Sequence, residues 1–198
     1  MIKLGIIGCG KMADSFLDRF HYVNNEFEVV GAVDIDIQRA KKISETFQGI
    51  ITTTRYTEIF DYIDAALIVL PHHLHHEVAL HCIKAGKHVL LEKPMAITEH
   101  QCIELIQAAE SKQKILMIGY VMRYHRLTLA FKDAMDKGTI GNVFQVSIWT
   151  EQHTEYPEGH WANLAKTLGG GQLFSHGCHY IDLLMWFLQL LHQFLHQE

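Results

Sequence analysis

The chain has 198 residues, 48% of them hydrophobic and 20% charged, with 17 Lys+Arg against 22 Asp+Glu for a formal net charge of −5. That length suits one domain, or one and part of a second, at roughly 100–200 residues each, and the apolar content excludes a disordered chain. The acidic balance excludes a nucleic-acid partner, which needs a basic footprint.

The N-terminal stretch MIKLGIIGCG is apolar, but glycines interrupt it too early for a signal peptide. Five apolar runs, at residues 3–7, 28–33, 65–70, 88–92 and 115–118, are expected to be strands. Helical patterns lie between them at about 11–23, 37–47, 74–85 and 98–111. Several strands are almost continuously apolar, as expected when helices cover both faces. Strand–helix alternation of this kind predicts an α/β fold on a doubly wound parallel sheet with right-handed crossovers. Pro71 is expected to keep His72 and His73 in a loop, and Gly86 to close the third helix.

After Gly119 the pattern changes. A helix over about 127–137 ends at Gly138, and a Gly141-Asn142 turn leads to an alternating strand at 143–150. A polar stretch, 151–166, precedes Gly169-Gly170-Gly171 and a last apolar helix within 181–195. A lone strand cannot form a sheet. Residues 1–121 are therefore expected to be one domain, and residues 122–198 an incomplete α+β domain. The 181–195 run contains Asp182, Gln189, His192 and Gln193 and falls short of the about 20 residues of a membrane span, so no membrane partner is expected. Cys9, Cys82, Cys102 and Cys178 form no CxxC pair and read as reduced thiols of a cytoplasmic protein.

Gly8-Cys9-Gly10-Lys11-Met12-Ala13 is a GxGxxA turn placed directly after the first strand and opening the first helix. Gly8 permits the tight turn, Gly10 lets the backbone approach a pyrophosphate, and Ala13 allows close helix–strand packing. The helix N-terminus, with Lys11 and Met12, offers N–H groups and a favourable dipole to the diphosphate. Asp34 closes the second strand 21 residues after Ala13, where a carboxylate accepts from ribose hydroxyls and repels a 2′-phosphate. These residues point to a Rossmann domain that takes NAD, with NADP disfavoured. Arg39 could soften that preference, but it also reads as an ordinary solvated residue of the second helix.

Glu92-Lys93-Pro94 ends the segment GKHVLLEKP at the carboxyl edge of the sheet, where doubly wound folds bind ligands. Leu70-Pro71 with His75, Gly119-Tyr120 with Arg123-Tyr124, Trp161 and GGGQLFSHGCHYIDLL follow in order. With the GxGxxA turn, this series resembles the glucose–fructose oxidoreductase / inositol dehydrogenase / MocA family over about residues 1 to 188. The resemblance implies NAD-dependent hydride transfer to or from a carbinol carbon of a sugar, cyclitol or similar polyol. It assigns Lys93 to the reacting oxygen, His179 to acid/base work and Glu92 to the nicotinamide ribose. Leu70, Pro71 and His75 would border the cofactor, and Arg123, Tyr124, Trp161, Ser175, His176 and Asp182 the substrate. A histidine titrates near neutrality and exchanges protons with a hydroxyl at modest cost, while an ammonium stabilises a developing alkoxide. The family often has an acidic residue at position 175. Ser175 removes that charge, weakens His179 as a base, and leaves His176 as a partial substitute.

Family members continue into an open, mostly antiparallel sheet that covers the substrate and commonly forms the oligomer interface. Here residues 189–198 run as a Leu/His/Gln repeat unlike the family, so the chain is expected to be C-terminally truncated, frame-shifted or a natural minimal form. Leu184, Trp186, Phe187, Leu188, Leu191 and Leu195 would then pack on the first domain, find a second chain as a homo-oligomer, or aggregate. Two alternatives stay open beside the dehydrogenase. One is a nucleotide-binding remnant without turnover. The other is a metal-binding protein, because the chain has 15 histidines and His72/His76 and His176/His179 have zinc-like spacing. No cysteine or carboxylate cluster completes such a ligand set, so no metal is expected.

Overall fold

A computed structural model describes residues 1–20, 22–23 and 26–188. Six strands form one parallel sheet: β1 (Ile2–Ile7), β2 (Phe27–Val33), β3 (Ile51–Thr53), β4 (Ala65–Ile68), β5 (His88–Leu91) and β6 (Leu116–Ile118). Their order is β3-β2-β1-β4-β5-β6, so the chain winds outward from β1 in both directions. In register, Ile7 pairs with Val33 on one side and Ile68 on the other, and Ile68 pairs in turn with Leu91. This brings the last residues of four strands to one edge, where the loops carrying the chemistry begin.

Helices α1 (Lys11–Phe20), α2 (Ile37–Thr46), α3 (His72–Lys84) and α4 (Glu99–Ser111) connect the strands. The sequence puts apolar residues side by side in the strands because both faces are covered. Ile6 packs with Ala40, Ile43 and Leu67 in one cluster, whereas Ile7 packs with Ile59, Ile68, Ile83 and Leu91 in the other. Full burial of such an aliphatic side chain contributes about 1.5–3 kcal/mol. Thr98 and Gln101 start α4 with a reciprocal capping box, which satisfies two backbone donors the helix cannot bond internally.

Three expectations change. β3 spans three residues and is followed by a 3-10 turn at Tyr56–Tyr62, a segment too short for periodicity to mark. α3 starts at His72 rather than 74, because Pro71 occupies the N-cap with φ −55° instead of holding a loop. Residues 143–150 form no strand, and among the described residues no neighbouring strand offers them a ladder. Without one, Phe144 is 96% and Trp149 91% exposed.

Beyond β6 lie a 3-10 turn at Val121–Tyr124, then α5 (Arg126–Asp136), the short α6 (Ala165–Leu168) and α7 (Gln172–Ser175), and α8 (Cys178–Phe187). α8 packs on α5 through Phe187 and Phe131, whose ring centroids lie 5.3 Å apart. Arg123 and Lys132 lie over the Trp186 ring. Part of the apolar surface at residues 184–188 is thus covered within the chain. The 189–198 repeat lies outside the described residues.

Candidate active site

The turn after β1 shows why its two glycines are not interchangeable. Gly8 has φ +95°, and a Cβ there would lie 2.1 Å from the Val69 carbonyl oxygen. Gly10 is different: a Cβ would meet nothing within 4 Å. Gly8 is thus required by the fold, while Gly10 leaves a bare cradle in front of α1. Ala13 is 1% exposed and seats α1 on the sheet. Lys11 and Met12 are exposed in the first turn of α1.

Asp34 follows β2 and is buried. Its Oδ2 accepts from the Cys9 N–H at 2.8 Å and its Oδ1 from the Asp36 N–H at 2.9 Å. The carboxylate therefore stands against the glycine turn, with lone pairs left for further donors. Arg39 is exposed and faces Asp36 at 3.6 Å. An open cradle, a helix N-terminus with unpaired N–H groups and a carboxylate at the next strand end together fit a dinucleotide diphosphate and its ribose.

The second half of the site grows from β5. Glu92 is buried, and its Oε2 accepts from the Lys93 N–H at 3.0 Å. Burial raises the Glu92 carboxyl, opposed by the neighbouring Lys93. Gly119 makes room for it: a Cβ there would come 3.3 Å from Oε1. Lys93 points across to the C-terminal half, and its Nζ donates to the Ser175 carbonyl at 3.2 Å. Position 175 supplies a backbone oxygen where the resemblance often has a carboxylate.

His179, in the first turn of α8, is 7% exposed. Its Nδ1 is buried and has no hydrogen-bond partner among the described residues. Burial, then the charges of Lys93 and His176, push the ring down to about 4, with Asp182 acting in the opposite sense. The ring is therefore a neutral imidazole at neutral pH. Tyr120 meets it edge-on at 6.1 Å between centroids, and burial pushes the Tyr120 phenol up to about 12. The His176 ring lies 6.1 Å from that of His179, and its Nε2 is 3.4 Å from the Tyr180 hydroxyl.

Other expected site residues are used differently. Arg123 grips Asp182 with two bonds, Nε–Oδ2 at 2.7 Å and Nη2–Oδ1 at 2.5 Å. The pair joins the turn after β6 to α8 as a structural bridge. Tyr124 is 65% exposed on that turn. Trp161 packs edge-on against His72 at 4.7 Å between centroids. Leu70 and Pro71 join β4 to α3 beside the cradle. His75 is fully buried, with Nδ1 2.7 Å from the Pro94 carbonyl and Nε2 2.8 Å from that of Leu70. Both of its ring nitrogens thus face backbone carbonyls. The remaining histidines of α3 are also engaged or exposed: His76 faces Glu104 at 2.7 Å, His81 faces the Tyr56 hydroxyl at 2.7 Å, and His73 is exposed. No group of three or more His, Cys, Asp or Glu suited to a metal occurs among the described residues.

Sequence reasoning missed Gly119 and Tyr120 as parts of the site's wall, although Gly119-Tyr120 stood in the quoted series. The burial of Glu92 needs the gap that Gly119 leaves, and no local pattern signals that need.

Comparison with known families matches residues 2–120 to the oxidoreductase family with an NAD-binding Rossmann fold (GFO_IDH_MocA), and residues 128–193 to the GFO/IDH/MocA C-terminal domain. The glucose-6-phosphate 3-dehydrogenase of Bacillus subtilis is 29% identical over 193 residues, covering 95% of this chain and 54% of that protein. An NAD-binding protein from Listeria innocua has a similar structure, with TM-score 0.82 and 27% identity over 94% of this chain and 54% of the other. KijD10, a 3-ketoreductase from Actinomadura kijaniata solved with NADP and TDP-benzene, gives TM-score 0.79 and 28% identity over 94% of this chain and 57% of the other. The chain spans about half the length of the curated relatives it matches. No helix among the described residues is long and apolar enough to cross a membrane.

Proposed function

The chain belongs to the GFO/IDH/MocA oxidoreductase family, and from that premise we propose that it binds NAD and transfers hydride to or from a carbinol carbon of a sugar or polyol. The observation that carries this reading is His179, buried with an orphaned Nδ1 and within the field of the Lys93 ammonium at the sheet edge. A buried polar atom without a partner is costly in a native site and calls for an explanation. Nδ1 is buried as well as orphaned, so a substrate hydroxyl supplies the missing donor once neighbouring side chains move aside.

The bound nicotinamide supplies the hydride acceptor or donor. Oxidation of a carbinol then needs one proton removed from oxygen as hydride leaves carbon and the carbonyl forms. Neutral His179 takes that proton on Nδ1, and Lys93 steadies the charge on the same oxygen. The depression of the ring from 6.5 to about 4 makes it a base weaker by about 3 kcal/mol, in keeping with serine at position 175. Glu92 and Gly119 shape the wall on the ribose side. Asp34 favours NAD, since a 2′-phosphate would meet a buried carboxylate. Lys11, Met12, Gly8 and Gly10 form the diphosphate side, bordered by Leu70 and Pro71. Tyr124, Trp161, Ser175 and His176 are read as the substrate side.

Residues 1–121 act as the nucleotide unit and 122–198 as the substrate-side unit. The exposed Phe144, Trp149 and Leu127 favour association with a second copy. Four free thiols, with Cys9 and Cys82 pushed by burial to about 12, suit a reducing cytoplasm. Thermal unfolding with NAD and NADP tests the nucleotide half. Saturation to about 100 Kd adds about 2.7 kcal/mol, so NAD raises the melting temperature by about 5–10 °C and NADP by less. No shift with either nucleotide overturns the reading.

A further inference from the structure

His72 and His75 stand one turn apart on α3, with ring centroids separated by 5.7 Å. Both are buried, and each is tied to the backbone of a different loop. The Nδ1 of His72 lies 2.8 Å from the Leu168 carbonyl, across 96 residues of sequence. The Nδ1 of His75 lies 2.7 Å from the Pro94 carbonyl, next to Lys93, and its Nε2 2.8 Å from the Leu70 carbonyl, so the strap to Pro94 belongs to the Nδ1–H tautomer. Burial pushes His72 down to about 4 and also lowers His75. A neutral ring donates through one nitrogen, so its tautomer selects the carbonyl it holds.

The two straps close a circuit. From His75 it runs through Pro94 to Lys93, whose Nζ reaches the Ser175 carbonyl. From Ser175 it returns along α7 to Gly169, which has φ +93° and where a Cβ would lie 2.5 Å from Phe174. Leu168 then meets His72 and α3 again. The spacing between the loop carrying Lys93 and the loop leading into His179 is therefore set by a fixed interval on one helix.

We propose that His72 and His75 are positioning residues that hold the Lys93 loop and the 168–175 loop to the first turn of α3, and so fix Lys93 against Ser175 and His179. The assignment to catalysis rests on the proposed function, but the mechanical claim does not.

The test compares a variant that keeps the bond with one that keeps the ring. His72→Asn retains a donor near the Nδ1 position, whereas His72→Phe retains the aromatic contact with Trp161 and loses the donor. His75→Asn and His75→Phe form the same pair, and the two His72 variants carry the test by themselves. The readout is the rate at which acetyl-N-hydroxysuccinimide modifies Lys93 in the folded full chain, measured by peptide mass spectrometry. Lys87, whose Nζ is held by the Ile63 carbonyl at 2.9 Å, is the internal reference. Loss of one hydrogen bond predicts labelling of Lys93 about fivefold faster in the Phe variants and near the original rate in the Asn variants. The opposite order, or no change in any variant, overturns the proposal. Absence of turnover in the original chain counts against the proposed function alone, because the labelling result needs no catalysis.

Discussion

Replacing Gly10 with alanine separates the needs of the fold from those of the nucleotide, and Gly8→Ala is its natural control. A Cβ at Gly10 meets no protein atom within 4 Å, so the folded chain should accept it with little change in stability. The same methyl projects into the cradle in front of α1, where a diphosphate must approach the backbone. NAD affinity should fall at least about tenfold, or about 1.4 kcal/mol. Gly8 behaves in the opposite way. Its φ of +95° alone costs a residue with a Cβ about 1–2 kcal/mol. The 2.1 Å approach to the Val69 carbonyl oxygen cannot be relieved by a rotamer change, so the turn or the start of the next loop must move. A total near about 3 kcal/mol lowers the melting temperature by about 6–12 °C in a chain of this size. Thermal unfolding with and without NAD measures both variants in one experiment. A Gly10→Ala chain that binds NAD as tightly as the original would refute the placement of the diphosphate.

Three further outcomes follow from the same geometry. In the folded chain burial pushes His72 and His179 down to about 4 from an ordinary 6.5, and lowers His75 as well. The unfolded chain therefore binds more protons between those values, and stability is full above pH 6.5 and lost as pH falls toward 4. Glu92, raised above its ordinary 4.5, acts in the reverse sense. Melting curves from pH 7 to 4 should show a net fall that is shallower in His179→Gln, and an unchanged slope in that variant would contradict the assignment. Asp34→Ser removes the charge that faces a 2′-phosphate, so the ratio of NADP to NAD dissociation constants, measured by calorimetry, should drop by about tenfold; an unchanged ratio places the selectivity elsewhere. Arg123→Met leaves the largely buried Asp182 carboxylate unpaired and should cost about 3 kcal/mol by denaturant unfolding, with much of it recovered in Arg123→Met/Asp182→Leu. A double variant no more stable than the single one would show that the pair does more than bridge the turn to α8.

What could be read in advance depended on how far each residue acts along the chain. Gly8, Gly10, Ala13 and Asp34 work within one strand–turn–helix unit and the strand beside it, so their spacing carried the reading. The Glu92-Lys93-Pro94 segment was legible for the same reason, because it sits where β5 meets the sheet edge. The histidines of α3 were not. His72 finds its partner 96 residues away and His75 finds one 19 away, and neither distance leaves a local pattern. Arg123 and Asp182, 59 residues apart, looked like two free polar groups when each was taken alone. The alternation at residues 143–150 was real, but alternation does not create a partner strand. β3 was missed because three residues cannot display a period.

Lys93 and His179 are proposed to serve hydride transfer at the edge of this sheet. Formation of NADH from NAD with a panel of sugars and polyols, followed by absorbance for the original chain and Lys93→Met, tests this role most directly. NADH is expected to form with at least one member of the panel in the original chain and with none in the variant. Equal rates in the two proteins, or no NADH from the original chain across the panel despite bound NAD, would contradict it.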